Sequence, residues 1–287
     1  MKTILITGAT GTTGAATLQH LKGKGFNLRA MTRSAEKAAA LEKQGVSAVV
    51  ADYGDAASLS RALEGADRAF LVHTPALEIP KHEKAFIEAA KRAGVEKIVK
   101  VSVIGAGPDA PLRLARMHAE AESYLMQSGI AYTILRPHSF MQNLLGNIPT
   151  IQGQGAMYSN NGDAKIPLID ARDIGAVAAA ALTEEGHDGK IYILTGPAAV
   201  TFQEAADAIG QSVGKAVQFV NVPDDAAKQG MMGAGFPEWL ADDLVTLNQW
   251  GRQVGEQQPS EDVAKVLGRP GHSLEDFARD YAGAFGG

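Results

Sequence analysis

Residues 3–14 read TILITGATGTTG and decide the fold of this 287-residue chain. The apolar run 4–6 predicts a buried β-strand, and a helical pattern over 14–22 follows the glycines. Glycines at positions 8, 11 and 14, set between a strand and a helix, are typical of a loop that holds a pyrophosphate at a helix N-terminus. An ordinary glycine turn is the alternative. The residues that we predict to contact a dinucleotide here are Gly8, Thr10, Gly11, Thr12, Thr13 and Gly14.

Strand and helix patterns alternate along the following chain. Apolar runs predict strands at 28–31, 46–50, 69–73, 98–103 and 132–135, and helical patterns lie between them at 34–44, 58–63, 80–93 and 112–127. This alternation implies right-handed crossovers and a parallel sheet. The strand runs lack polar alternation, as expected when helices cover both faces. The sequence therefore predicts an α/β protein with a Rossmann-type, doubly wound parallel sheet.

The pattern changes after Pro137. Frequent Gly, Asn and Pro predict a loop over 147–163, followed by helices at 170–182 and 201–213, strands at 190–194 and 217–222, and Met, Phe and Trp among helical residues over 231–250. We expect a Rossmann core over 1–140, completed by about 166–195. A smaller C-terminal substrate lobe would comprise 141–165 and 196–287 and cover the carboxyl edge of the sheet, where such folds bind ligands.

Composition excludes several classes of protein. The formal net charge is −5 and there is no basic run, which argues against nucleic acid and anionic membrane as partners. The absence of cysteine excludes disulfides, thiolate-bound metals and a thiol nucleophile. The seven histidines are scattered, so we expect no metal. With no targeting pattern and no window of about 18 apolar residues, we expect a cytoplasmic, soluble monomer or homodimer.

The end of the second predicted strand indicates the preferred cofactor. An NAD site carries Asp or Glu there to bind the ribose 2′-hydroxyl, whereas this chain has Arg33, Ser34 and Lys37. A guanidinium suits a 2′-phosphate, so we predict NADP(H), with NAD(H) possible but weaker. A solvated surface arginine is the alternative. Asp52 and Tyr53 follow the third strand, and Asp52 either accepts from the adenine amino group or caps a turn.

Six segments together resemble the NmrA-like branch of the atypical short-chain dehydrogenase/reductases, in particular its NAD(P)H quinone oxidoreductases and triphenylmethane reductases. They are TGATGTTG (7–14), MTRS (31–34), ADYGD (51–55), KIVKVSVIGA (97–106), the block 118–143 and the block 168–197. The resemblance spans nearly the whole chain, and 118–143 is its most particular part. It implies the same fold, a bound NAD(P)H and hydride transfer to a small aromatic electron acceptor.

The sequence departs from the catalytic pattern of the wider superfamily, Tyr-x3-Lys. None of the six tyrosines has a lysine four residues later, and alignment on Glu122 places Leu114 and His118 at the two positions. The resemblance therefore implies acceptors that need little acid assistance, such as quinones, cationic triphenylmethane dyes and azo compounds. His118 is predicted to contact the nicotinamide ribose. Acid catalysis by this histidine and a purely structural role are the alternatives.

Further contacts are expected at the strand ends. We predict cofactor contacts for His73, Thr74, Pro75, Ser102 and Pro137, although Ser102 could instead be a small core residue. Flat acceptors bind well between aromatic and thioether side chains. The predicted acceptor contacts are His138, Phe140, Asn143, Met157, Tyr158, Phe236 and Trp239, with Met231 and Met232 nearby. For each of these Met and aromatic residues, a role in the core of the lobe carries equal weight.

Two functional hypotheses follow. The first is an NADPH-dependent reductase of quinone-like, dye-like or azo-type acceptors. The second is a non-catalytic NAD(P)-binding redox sensor, since NmrA-like proteins include regulators that bind NAD(P), and the absence of the Tyr-x3-Lys pair suits that role too. Side chains sufficient to line a pocket, and the absence of a charged tail, favour the enzyme.

Overall fold

A computed structural model describes all 287 residues. The strands are β1 (Thr3–Ile6), β2 (Asn27–Thr32), β3 (Ser47–Val50), β4 (Arg68–Leu71), β5 (Lys97–Val101), β6 (Ala131–Pro137), β7 (Ala156–Ser159), β8 (Lys190–Leu194) and β9 (Gln218–Asn221). Seven of them form one sheet in the order β3-β2-β1-β4-β5-β6-β8. The five pairings among β1 to β6 are parallel. The predicted Rossmann-type sheet is confirmed.

Helices separate the strands as the sequence predicts. They are α1 (Thr12–Leu21), α2 (Ala35–Lys43), α3 (Ala56–Leu63), α4 (Ile79–Ala93), α5 (Arg113–Gln127), α6 (Ile148–Gln154), α7 (Ala171–Thr183), α8 (Phe202–Val213), α9 (Asp224–Gly233), α10 (Glu238–Val254), α11 (Asp262–Leu267), α12 (Leu274–Asp280) and α13 (Ala282–Phe285). Local capping sets several boundaries. The Ser34 hydroxyl accepts from Lys37 N, and Thr201 and Glu204 form a capping box.

The chain divides into two compact units. Unit 1 comprises 1–110, 114–137 and 171–193, and unit 2 comprises 111–113, 138–170 and 194–287. Unit 1 contains six parallel strands and most of β8. One core of unit 1 packs α3, α4 and α5 against the sheet through Leu59, Phe86, Ile98 and Leu125, all of which are fully buried. The sequence placed 138–140, 166–170 and 194–195 in the Rossmann core, whereas these residues cluster with unit 2.

The prediction of a loop over 147–163 is wrong. This region contains α6 and then β7, which pairs in parallel with β9. Pro149 lies in the first turn of α6, and Gly155 ends it in the left-handed conformation, with φ of 63°. The Pro and Gly that suggested a loop are therefore helix boundaries. A 3₁₀ helix, Met141–Asn147, precedes α6.

The helical stretch predicted over 231–250 is two helices, α9 and α10. The chain between them contains Gly235, whose φ is 91°, and Pro237, the N-cap of α10. A positive φ and a proline cannot continue an α-helix. Helix α9 buries none of its residues. No helix of the structure has the length and apolar character needed to cross a bilayer.

Candidate functional site

The loop between β1 and α1 has the geometry of a phosphate-binding turn. Gly8 has a φ of 58°, and a Cβ there would lie 2.6 Å from Val72 Cγ1. A Cβ on Gly14 would lie 2.1 Å from the Gly8 carbonyl oxygen, so the helix can approach the loop only with glycine at this position. Gly11 is the N-cap of α1, and no side chain accepts from the first turn. The N-terminal N–H groups of α1 therefore lack the capping oxygen that many helices carry.

A cleft of about 730 Å³ in unit 1 opens beside this loop. Its lining comes from the glycine loop, from the ends of β2 and β3, from the residues after β4 and from the start of α4. Of the predicted cofactor contacts, the cleft includes Gly8, Thr10, Gly11, Arg33, Asp52, Tyr53, His73 and Thr74. It does not include Thr12, Thr13, Gly14, Pro75, Ser102, His118 or Pro137.

Two cations line the cleft where β2 ends. Arg33 is exposed and makes no hydrogen bond or ion pair within the protein. Lys37 is also exposed. Its backbone N–H donates to Ser34, and its ammonium has no protein acceptor. Because neither charge is neutralised by a carboxylate, both are available to an anionic group in the cleft.

Asp52 takes the turn-capping role that the sequence left open, without excluding a contact to a ligand. Its Oδ1 accepts from Gly54 N at 2.7 Å. The side chain is exposed to the cleft, which leaves its other oxygen free to accept a further hydrogen bond. The neighbouring Tyr53 donates its hydroxyl hydrogen to Val72 O at 2.8 Å, and burial raises the pKa of this phenol. Tyr53 therefore lines the cleft as an uncharged phenol.

A pair of histidines, His73 and His82, also lines the cleft. His73 follows β4, which ends at Leu71, two residues before the predicted end. Its Nδ1 lies 2.6 Å from Thr74 O, an acceptor, so Nδ1 carries the hydrogen. Its Nε2 lies 3.0 Å from His82 Nδ1, which must then donate to a neutral His73 ring. Burial lowers the pKa of His73, which favours the neutral form of this ring.

His118 lies on α5 beside a buried ion pair that the sequence analysis missed. Lys100 on β5 and Glu83 on α4 are fully buried, with Lys100 Nζ 2.6 Å from Glu83 Oε2 and 3.1 Å from His118 Nδ1. Burial, followed by the charge of Lys100, holds the pKa of His118 well below its ordinary value. Burial raises the pKa of Glu83, and the adjacent ammonium opposes that rise. His118 is thus a neutral imidazole at neutral pH.

Two other predicted contacts lie close to the carboxyl edge of the sheet. Ser102 follows β5 and is 2% exposed, and its hydroxyl has no hydrogen-bond partner. Its backbone N–H continues the ladder by donating to Leu135 O at 2.7 Å. Pro137 ends β6, and its carbonyl accepts from Ile104 N. The unpartnered hydroxyl of Ser102 retains the capacity to bind a ligand.

The predicted acceptor residues all belong to unit 2, in different environments. His138 is buried and fully bonded, because its Nδ1 accepts from Ser139 N at 2.7 Å and its Nε2 donates to Gln257 Oε1 at 2.7 Å. Met157 is completely buried in the unit 2 core, the alternative role that the sequence left open for it. Phe140, Met231 and Trp239 are partly buried, and Asn143, Tyr158, Met232 and Phe236 are exposed.

His82, Glu83 and Lys100 are functional candidates that sequence reasoning missed. A signal for Lys100 was present, since a lysine interrupts the apolar run Ile98, Val99 and Val101. Charged residues are almost never fully buried without a partner, so this lysine predicts a buried acid nearby. The sequence does not indicate which acidic residue pairs with Lys100. No group of three or more His, Asp or Glu side chains is arranged to hold a metal ion.

Comparisons with known proteins agree with this architecture. The model of the NmrA-like family matches residues 1–278. NAD(P)H azoreductase from Xenophilus azovorans is 38% identical over 283 residues, covering 99% of both chains. The crystal structure of the NADPH-dependent quinone oxidoreductase from Escherichia coli complexed with NADPH has a TM-score of 0.85 and 33% identity, covering 96% of this chain and 99% of that one.

A third relative is the triphenylmethane reductase from Citrobacter sp. complexed with NADP(H). It has a TM-score of 0.84 and 28% identity, covering 97% of this chain and 99% of that one. The match of the family model and of full-length relatives agrees with the glycine loop and the strand order of unit 1. This chain belongs to the NmrA-like family.

Proposed function

We propose that this protein is an NADPH-dependent reductase that transfers hydride to quinone-like, triphenylmethane-dye or azo-type aromatic acceptors. The observation that carries the proposal is the unit 1 cleft, which is lined by a glycine loop and by two unpaired cations, Arg33 just after β2 and Lys37 in the first turn of α2. In open α/β sheets this edge binds dinucleotides.

The residues of the cleft fit NADPH. The N-terminus of α1, capped only by Gly11, would bind the pyrophosphate, and Arg33 and Lys37 would bind the 2′-phosphate. Asp52 would accept from the adenine amino group. No Asp or Glu occupies the end of β2, where a ribose 2′-hydroxyl would require one. These features favour NADPH over NADH.

The acceptor class is inferred from the relatives and from the acid–base groups of this chain. The relatives are named for the reduction of azo compounds, quinones and triphenylmethane dyes, which are all conjugated aromatic acceptors. Our proposed acceptor contacts remain Phe140, Asn143, Tyr158, Phe236 and Trp239. His138 and Met157 are weaker candidates, because one is fully bonded and the other lies in the core.

The proposed reaction requires little acid catalysis from the protein. NADPH, when bound, would supply the hydride, and the protein would hold the two reactants in position. Leu114 offers no proton, and His118 is neutral and buried, so neither of the two Tyr-x3-Lys positions supplies a strong acid. Acceptors that delocalise the added electron pair do not need a strong acid in the protein. Azo compounds and quinones still take one proton per hydride, which water or a neutral donor can supply.

An absorbance assay tests the proposal directly. Purified protein with NADPH is expected to oxidise the cofactor when menadione or a cationic triphenylmethane dye is added, and the dye is expected to lose its colour. The control is the same mixture without protein. Tight NADPH binding without turnover of menadione, the dye or an azo compound would contradict the reductase proposal and favour the redox-sensor alternative.

Replacement of Arg33 tests how the cofactor is distinguished. Arg33→Ala is expected to weaken NADPH binding by about 10- to 100-fold and to leave NADH binding nearly unchanged, because a charge-assisted hydrogen bond contributes about 1.5–3 kcal/mol. Both dissociation constants are measured by fluorescence titration. The matched control is Lys43→Ala, which removes an exposed cation at the far end of α2. Equal losses for NADH and NADPH would show that Arg33 does not bind the 2′-phosphate.

A further inference from the structure

The buried pair of Lys100 and Glu83 needs an explanation beyond stability. Both side chains are 0% exposed, and neither carboxylate oxygen of Glu83 receives a well-aligned hydrogen bond, although Oε2 lies 2.6 Å from Lys100 Nζ. Burying two charges costs several kcal/mol each, and apolar residues of similar volume often stabilise a core as well or better. The pair connects α4 to the centre of β5, in the unit that contains the cofactor cleft. His118 also contacts this pair, through its Nδ1 and Lys100 Nζ.

A count of donors and acceptors fixes the state of the His118 ring. A lysine ammonium has three N–H donors and no acceptor. Lys100 Nζ has two hydrogen-bond partners, Val101 O at 3.2 Å and His118 Nδ1 at 3.1 Å, and forms an ion pair with Glu83 Oε2 at 2.6 Å. The His118 nitrogen must therefore present its lone pair, which places the ring hydrogen on Nε2.

We propose that Lys100 and Glu83 are positioning residues that hold His118 as a neutral imidazole with Nε2–H as its only donor. Lys100 donates to Nδ1, and Glu83 is the counter-ion that holds the Lys100 ammonium in place. This proposal rests on the proposed function in one respect: the Nε2–H group is the donor that would bind the nicotinamide ribose. A ring locked in this way can donate a hydrogen bond without a proton being transferred.

The tautomer can be measured without cofactor or turnover. In protein labelled uniformly with ¹⁵N, long-range proton–nitrogen spectra distinguish the protonated from the unprotonated nitrogen of each of the seven histidine rings. The His118 ring is identified by the signals lost in His118→Ala. We expect the wild-type ring to show a protonated Nε2 and a hydrogen-bonded, unprotonated Nδ1. A protonated Nδ1 would overturn the proposal.

Replacing the lysine tests its positioning role. In Lys100→Met the His118 signals are expected to move toward a mixture of tautomers, and the KM for NADPH is expected to rise roughly tenfold with a smaller change in kcat, as for the loss of one hydrogen bond. The matched control is Lys97→Met, which removes a buried lysine from the same strand. Lys97 bonds to Ala181 O and Asp188 instead. Unchanged His118 signals in Lys100→Met would overturn the proposal.

A second variant keeps the test decisive if Lys100→Met does not fold. Glu83→Gln retains the size and one acceptor oxygen but removes the carboxylate charge beside the Lys100 ammonium. We expect a partial shift of the His118 tautomer and a smaller rise in KM for NADPH. Wild-type His118 signals in this variant would show that Glu83 plays no part. A wild-type protein that reduces no acceptor but shows the expected tautomer would refute the proposed function alone.

Discussion

Gly11→Val is expected to weaken NADPH binding by about 100-fold or more, a loss equivalent to about 2.7 kcal/mol. Gly11 is the N-cap of α1, at the point where a pyrophosphate would meet the helix N-terminus. A branched side chain here would hold the phosphates away from the N–H groups of the first turn. The dissociation constant is measured by fluorescence titration of the purified variant.

The same substitution is expected to leave the fold largely intact. The backbone of Gly11 has φ of −93° and ψ of 175°, an extended conformation that valine adopts readily. A Cβ there would lie 3.3 Å from the Gly8 carbonyl oxygen, which requires an adjustment of only a few tenths of an ångström. The melting temperature of the cofactor-free variant should therefore stay within a few degrees of wild type.

Gly14→Ala is the informative contrast. Its Cβ would lie 2.1 Å from the Gly8 carbonyl oxygen, so α1 would have to move away from the loop. We expect this variant to lose stability as well as affinity. Gly153→Val is the control for the loss of a glycine elsewhere, since nothing lies within 4 Å of its added Cβ. Normal NADPH binding by Gly11→Val would show that the loop has been assigned wrongly.

Much of unit 1 could be predicted because its signals are local. A buried parallel strand is a short apolar run, and a helix ends at a glycine such as Gly94, whose φ is 77°. The glycine loop could be recognised for the same reason, since its strand, turn and helix are contiguous. Arg33 and Asp52 could then be predicted as site residues, because they come directly after β2 and β3. The ends of these neighbouring parallel strands lie at the same edge of the sheet.

The region 147–163 could not be predicted from local signals. Strand β7 has four residues and pairs with β9, far along the chain. No residue pattern near Ala156 indicates that this segment pairs with β9. Helix α6 has only seven residues, and its Pro149 and Gly155 resemble loop residues when the turn between them is not recognised. Short elements stabilised by distant partners carry too little periodicity for sequence reasoning.

The environment of His118 was beyond sequence reasoning for a different reason. Its place on α5 was predicted, but its partners Lys100 and Glu83 come from β5 and α4, and their approach depends on how the helices pack on the sheet. The sequence left acid catalysis open for this histidine. A buried neutral ring that accepts from an ammonium is a poor acid, so the structure favours the role of hydrogen-bond donor.

Acceptor selectivity is expected to be the largest functional effect. With the same NADPH, menadione and a cationic triphenylmethane dye should be reduced at least about 1,000-fold more efficiently than a small aldehyde, because general acid catalysis typically contributes about 10²- to 10⁴-fold. A reduced quinone or dye delocalises the electron pair or becomes neutral. An aldehyde would leave a localised alkoxide, and neither Leu114 nor the neutral His118 can protonate it readily.

Steady-state kinetics on the three acceptors provide the measurement, with His118→Ala as the diagnostic variant. If His118 binds the ribose, this variant raises the KM for NADPH more than it lowers kcat, and the preference for menadione over the aldehyde stays the same. If His118 were the acid, kcat would fall and the loss would be greatest for the aldehyde. Efficient aldehyde reduction by the wild-type protein would contradict the mechanism and require another proton donor. Tyr158, which is exposed and donates to Gln154 Oε1, would be the first residue to replace, because its hydroxyl is the kind of donor that the Tyr-x3-Lys pair would have supplied.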